Sequence, residues 1–196
     1  KALELGAVPR SLDRATQAVR RIEPRDDLEI ITYPGEMGED AARACGFTPT
    51  VMGSIEPGGT TAEDTERAAR DMFQLEVDLL LFAGGDGTAR DICNAVGDGL
   101  PVLGIPSGVK IHSAVFGANP RSAGDLASGY LQGRVSRLRE AEVMDIDEAA
   151  VRQGIVSARL YGYLKVPFRR RLLQGLKTPS SPGEQAAKAA VAADVV

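Results

Sequence analysis

The sequence predicts a doubly wound α/β layer with a parallel sheet, followed by a β-rich segment. Three observations carry that expectation. Short apolar strands alternate with helical patterns over roughly the first 130 residues, and two of the strands end in glycine-rich turns. Near Glu140 the helical patterning gives way to alternation of the kind antiparallel strands show. The predicted division is residues 1–140 as an α/β nucleotide- or phosphate-binding domain, and 141–196 as the start of a β-rich domain with a C-terminal helix.

Each element has its own signal. Leu12, Ala15, Val19 and Ile22 recur at spacings of three and four, a helix over 11–22 with Ser11 as its cap. Residues 28–33, bounded by charges and by Pro34-Gly35, read as a buried strand, and a short helix follows over 38–44. Thr60 and Glu63 match a capping box that opens a helix to about Leu75. A strand over 77–83 then enters the run Gly84-Gly85-Asp86-Gly87-Thr88, and a helix over 88–96 leaves it. Residues 101–105 form another short strand, and Asn119-Pro120 marks the cap and first position of a helix to about Leu131. Beyond it, 143–147 and 155–166 are strand-like around a turn at 152–154, 178–183 is a loop, and 184–193 is an alanine-rich helix.

Composition narrows the function classes. A net charge of −4 with no aromatic-interleaved basic patch argues against a nucleic-acid partner, and Arg169-Arg170-Arg171 is too short to change that. No apolar run approaches the ~20 residues a membrane helix needs, and the N-terminus has no signal-peptide pattern. A cytoplasmic location without a membrane partner is expected. Cys45 and Cys93 lack metal-ligand spacing, and with His112 as the one histidine neither a zinc site nor a Ser-His-Asp triad is expected. The absence of an initial methionine, with an opening that goes straight into helix-like sequence, predicts a chain that starts inside a longer protein; with the missing C-terminal motif given below, a chain incomplete at both ends is expected.

The glycine run is the richest feature. Three glycines in four positions clear the Cβ atoms that would hold phosphates off the backbone amides, and permit positive φ in a sharp turn. Asp86 among those amides has three readings: metal ligand, base for an attacking hydroxyl, or helix cap. The second run is Gly104-Ile105-Pro106-Ser107-Gly108-Val109-Lys110-Ile111-His112-Ser113. Lys110 is the lysine near both loops, an ammonium for phosphates or a solvated loop residue. His112 is a phosphate or ribose contact or a hydrogen-bonded structural residue.

Gly84-Gly85-Asp86-Gly87-Thr88 resembles the signature shared by NAD kinases, diacylglycerol and sphingosine-type lipid kinases and, more loosely, phosphofructokinases. The second run, with Val143-Met144-Asp145-Ile146-Asp147 and Ser157-Ala158-Arg159-Leu160-Tyr161-Gly162, is similar to the ATP- or polyphosphate-dependent NAD kinase family over about 1–190. The resemblance implies an NAD kinase that moves a phosphoryl group from ATP or polyphosphate, with Mg²⁺, to the adenosine 2′-hydroxyl of NAD. By the same resemblance Asp86 is the acceptor-side base and metal-associated carboxylate. Gly84, Gly85, Gly87, Thr88, Ser107, Gly108, Lys110 and His112 then contact nucleotide or phosphate, and Asp91 and Ser113 support them. Self-association into a homo-oligomer is implied as well.

The chain departs from the family pattern in two places. A glycine-rich Asn-Pro segment near the start and a Gly-Pro-Gly-Thr-Thr motif in the C-terminal part are both missing. Part of a substrate pocket is therefore expected outside this sequence. Two other functions compete. A lipid or small-alcohol kinase would carry Gly-Thr-x-Asn-Asp in the second loop, which this chain lacks. A non-catalytic nucleotide-binding regulator, suggested by relatives linked to acetoin catabolism, would not need Asp86.

Overall fold

The computed structural model describes residues 11–108, 110–146 and 158–174. Its helices are α1 (Ser11–Val19), α2 (Glu39–Ala44), α3 (Ala62–Gln74), α4 (Asp86–Val96) and α5 (Pro120–Leu131). Its strands are β1 (Ile31–Thr32), β2 (Thr50–Val51), β3 (Leu80–Gly84), β4 (Val102–Pro106), β5 (Leu138–Ile146) and β6 (Ala158–Pro167). The turn expected at 152–154, the loop at 178–183 and the helix at 184–193 lie outside the described residues.

The pair β3–β4 is the centre of the layer. The strands run parallel with Leu80 opposite Val102 and Gly84 opposite Pro106. Side chains alternate across a strand, so the two strands present two apolar faces. Phe82 and Val102 face a core completed by Ala89, Ile92 and Val96 of α4 and by Ala141, Val143, Leu164 and Val166 from β5 and β6. Leu103 and Ile105 face the opposite way, with Leu81 and Ala83, onto Ala18 of α1 and Ala123, Leu126 and Ala127 of α5. Helices thus cover both faces, as double winding requires.

One expectation needs correction: the parallel strands do not form one continuous sheet. β1 and β2 pair with each other, Ile31 opposite Thr50, as a separate two-stranded parallel unit. Each is two residues long, too short to extend a ladder beyond its own partner. The strand expected over 28–33 shrinks to this pair, and β2 carried no readable strand signal.

Local chemistry fixes the helix ends, with one shift from expectation. The capping box of α3 is Thr61 with Asp64, not Thr60 with Glu63: the Asp64 amide donates to Thr61 Oγ1 at 3.3 Å, and the Thr61 amide donates to Asp64 Oδ2 at 2.9 Å. Two overlapping boxes of equal spacing stand in the sequence, and spacing alone cannot choose between them. α5 begins as expected, with Asn119 Oδ1 accepting from the Ser122 amide at 2.9 Å and Pro120 in the first turn. α1 and α5 cross closely, and a Cβ on Gly124 would lie 2.1 Å from the Ala18 carbonyl oxygen.

β5 and β6 form an antiparallel hairpin whose register shifts between Val143 and Met144. β5 starts at Leu138, five residues before the alternation at Val143 made it visible. The hairpin packs on α4, where Cys93 Sγ stands against Gly162 and the Tyr161 hydroxyl donates to Asn94 Oδ1 at 2.6 Å.

Candidate functional site

Because β3 and β4 are parallel neighbours, the loops that leave their carboxyl ends start side by side. The Ser107 amide donates to the Gly84 carbonyl at 3.0 Å, and a Cβ on Gly108 would lie 3.9 Å from Gly85 Cα. Such a strand edge is where open α/β sheets take their ligands.

The glycine run departs from its expected geometry in an informative way. α4 starts at Asp86 rather than Thr88, with Gly85 as N-cap at φ −127° and no side-chain cap. None of Gly84, Gly85 and Gly87 has positive φ, so the run is not a turn that needs left-handed residues. Its glycines serve space instead. A Cβ on Gly84 would meet Thr88 Oγ1 at 2.3 Å, so that position is kept clear for a neighbouring side chain. Around Gly85 and Gly87 a Cβ would meet nothing within 4 Å, leaving the first turn of α4 open to an approaching group. The amides of that turn have no intrahelical partners and favour an anion.

Asp86 does not cap its own helix. The residue is 9% exposed, and its carboxylate accepts from the His112 amide at 3.0 Å and from the Ser113 amide at 2.8 Å. The residue therefore fastens the second loop to the first. Ser113 continues the chain of bonds, since its Oγ accepts from the Met144 amide at 2.9 Å. Met144 sits at the register shift in β5, where the ladder is interrupted and an amide is free to point elsewhere. One row of hydrogen bonds thus links α4, the second loop and the hairpin.

The other candidates divide. Ser107 is half-buried beside Gly84, and Thr88 lies on Gly84. Lys110 is exposed and His112 half-buried, and neither side chain has a hydrogen bond to a described residue. Asp91 is turned away from the loops: its charged neighbours are Arg90 and Glu66, and burial pushes its carboxyl above the usual range. Asp145 does not reach the cleft; Arg159 at 2.9 Å and Arg90 at 3.3 Å hold it, and the Arg159 hydrogen bond keeps its carboxyl below the ordinary value. Asp147 lies outside the described residues.

Three residues join the site without a sequence signal. Arg14 of α1, Asn119 and Gln174 line a cavity of about 210 Å³ with Pro106, Gly108 and Ile111. Gln174 Nε2 donates to the Ile111 carbonyl at 3.3 Å, and its amide donates to the Phe116 carbonyl at 2.9 Å. Tertiary packing alone brings them together.

Among the described residues no group of three carboxylate, histidine or cysteine side chains could hold a metal ion. Magnesium, however, retains waters and binds through one or two carboxylates plus substrate phosphates. Asp86 fits that donor set as a single carboxylate beside an open anion site.

The model of one family, described as the ATP-NAD kinase N-terminal domain, matches residues 5–135. No curated protein and no solved structure matches the chain.

Proposed function

The chain belongs to the ATP-NAD kinase family, and on that premise we propose that it transfers a phosphoryl group from ATP, or from polyphosphate, to the adenosine 2′-hydroxyl of NAD. The observation that carries this reading is the open first turn of α4 beside a fastened second loop, with one carboxylate between them.

Phosphoryl transfer asks the protein for alignment, charge neutralisation and a proton acceptor. The amides that open α4 bind phosphate oxygens, and the missing Cβ atoms at Gly85 and Gly87 let those oxygens come close. Arg14 and Lys110, on the rim of the second loop, supply positive charge toward the phosphates. Asp86 takes the proton from the 2′-hydroxyl. Two backbone amides already fix its position, and position matters more than basicity for a carboxylate working near neutral pH. Magnesium, carried on the donor phosphates with Asp86 as the protein carboxylate beside it, would neutralise charge there.

The test is formation of NADP from NAD with ATP or polyphosphate and Mg²⁺, run beside a diacylglycerol acceptor. NADP formation that disappears in Asp86→Asn supports the reading. Phosphorylation of diacylglycerol alone, or nucleotide binding without turnover, overturns it.

A further inference from the structure

The arginine run 169–171, which has no part in the glycine-loop site, belongs to a second concave surface. An open groove of about 1130 Å³ lies between the end of α1, the second half of α5, the segment entering β5 and the segment leaving β6. It shares no lining residue with either glycine loop. α5 begins beside Pro106, and at ~1.5 Å per residue its 12 residues carry the chain about 18 Å from there.

Six arginines line this groove: Arg20, Arg21, Arg134, Arg137, Arg169 and Arg170. Its two carboxylates are already engaged. Asp125 pairs with Arg21 at 2.6 Å, and Glu23 accepts from Gln132 Nε2 at 2.8 Å. Among the described residues the other five guanidinium groups have no carboxylate partner. In a chain of net charge −4 this is a local concentration of positive charge, and like charges so gathered repel unless an anion lies between them.

The backbone holds the cluster in place. Arg171 takes φ 74°, a left-handed conformation uncommon outside glycine, and closes a turn in which the Leu172 amide donates to the Arg169 carbonyl at 3.1 Å. Arg137 and Arg139 both stand over the Phe168 ring, each 5.4 Å from its centroid.

We propose that this groove binds an oligophosphate chain, at a place separate from phosphoryl transfer. Planar guanidinium groups match phosphate oxygens two at a time, and several unpaired forks along one groove suit a ligand with charge on every unit. Phe168, the aromatic residue in the lining, is already engaged by two guanidinium groups, those of Arg137 and Arg139, so the groove is richer in cations than in aromatic surface for a nucleobase. The proposal does not depend on the kinase reading.

The test is calorimetric titration of inorganic tripolyphosphate into the full chain at low and at physiological ionic strength. Binding is expected, weaker at the higher salt. The exposed pair Arg169→Ala with Arg170→Ala should weaken it by about tenfold or more while the melting temperature holds. Gly87→Ala, which obstructs the α4 amides, should remove at most the share of binding that belongs to the glycine-loop site and leave the arginine-dependent share unchanged. Three results would overturn the proposal: no tripolyphosphate binding at low salt, binding lost in Gly87→Ala but kept in the arginine pair, or a single-stranded oligonucleotide of equal charge binding more tightly than tripolyphosphate.

Discussion

Asp86 fastens the second loop and, on the proposed mechanism, also accepts the proton, so one substitution touches both roles. As the proton acceptor it should be worth roughly 10²- to 10⁴-fold in rate, and as the acceptor of two loop amides it also holds the fold. Asp86→Asn is expected to lose turnover by that factor, retain nucleotide affinity, and lose about 1–3 kcal/mol of stability as a charge-assisted contact weakens. Steady-state rates, nucleotide titration and thermal melts check the three parts, and unchanged turnover removes Asp86 from the chemistry. Asp91 on the same helix behaves oppositely. Burial raises its folded pKa above the unfolded value, so what it contributes is present below about pH 4 and lost as pH rises through the folded pKa. Asp91→Asn should therefore raise the melting temperature at pH 7, with the gain vanishing below about pH 4. A fall at pH 7 would mean that the carboxylate's ion pair with Arg90, at 3.8 Å, outweighs the cost of burial.

At the scale of elements, the start of α4 distinguishes space for a ligand from demand for an unusual backbone. Gly85 and Gly87 have ordinary φ and open surroundings, so alanine at either should change stability by less than about 1 kcal/mol, and Gly87→Ala should be neutral or stabilising within the helix. Affinity for ATP or NAD should nevertheless fall in both. Unchanged affinity would leave the open turn without a ligand. Gly84→Ala and Gly124→Ala are the contrasting cases, since their Cβ atoms would meet Thr88 and the Ala18 carbonyl, and each should cost about 1–3 kcal/mol.

These contrasts mark what the chain discloses before folding. The strand, glycine run and helix around Asp86 were legible because each rests on neighbours in sequence, as was the Asn119-Pro120 helix start. The paired loops followed from two strands read separately. What stayed hidden depends on contacts made at long range. The use of Asp86 to bind the second loop needs amides 26 and 27 residues away, the Ser113–Met144 bond needs a bulge, and Arg14 reaches the rim only through the crossing of α1 with α5. The first strand was overextended because its apolar run continues past the two residues that find a partner.

Across the whole molecule, α4 is the member that joins the central strands, the second loop and the hairpin. Its first residue holds the second loop, its buried face lies on Phe82 and Val102, and its later residues carry the hairpin through Cys93 and Asn94. Val143, Leu164 and Val166 are wholly buried in that same core, so removal of the hairpin should leave a chain that does not fold cooperatively, as near-ultraviolet dichroism and melting would register. Acid should loosen the pairing of β5 with β6 around Asp145. The Arg159 hydrogen bond depresses the Asp145 carboxyl, so the stability it lends is full above about pH 4 and is lost as pH falls through the folded pKa. Asp145→Asn should flatten that part of the acid melting profile.

The bond row from Asp86 through Ser113 to Met144 makes the carboxylate observable from a distance. The amides of His112, Ser113 and Met144 exchange their protons with solvent only when this row opens, so the three should exchange as one cooperative unit rather than as three local sites. A hydroxyl, or a cation carried on phosphates, that draws Asp86 toward itself must release the first two amides and, through Ser113, disturb the third. Deuterium uptake at Met144, on a strand that carries none of the proposed contacts to substrate, would then report whether the loop carboxylate has been engaged.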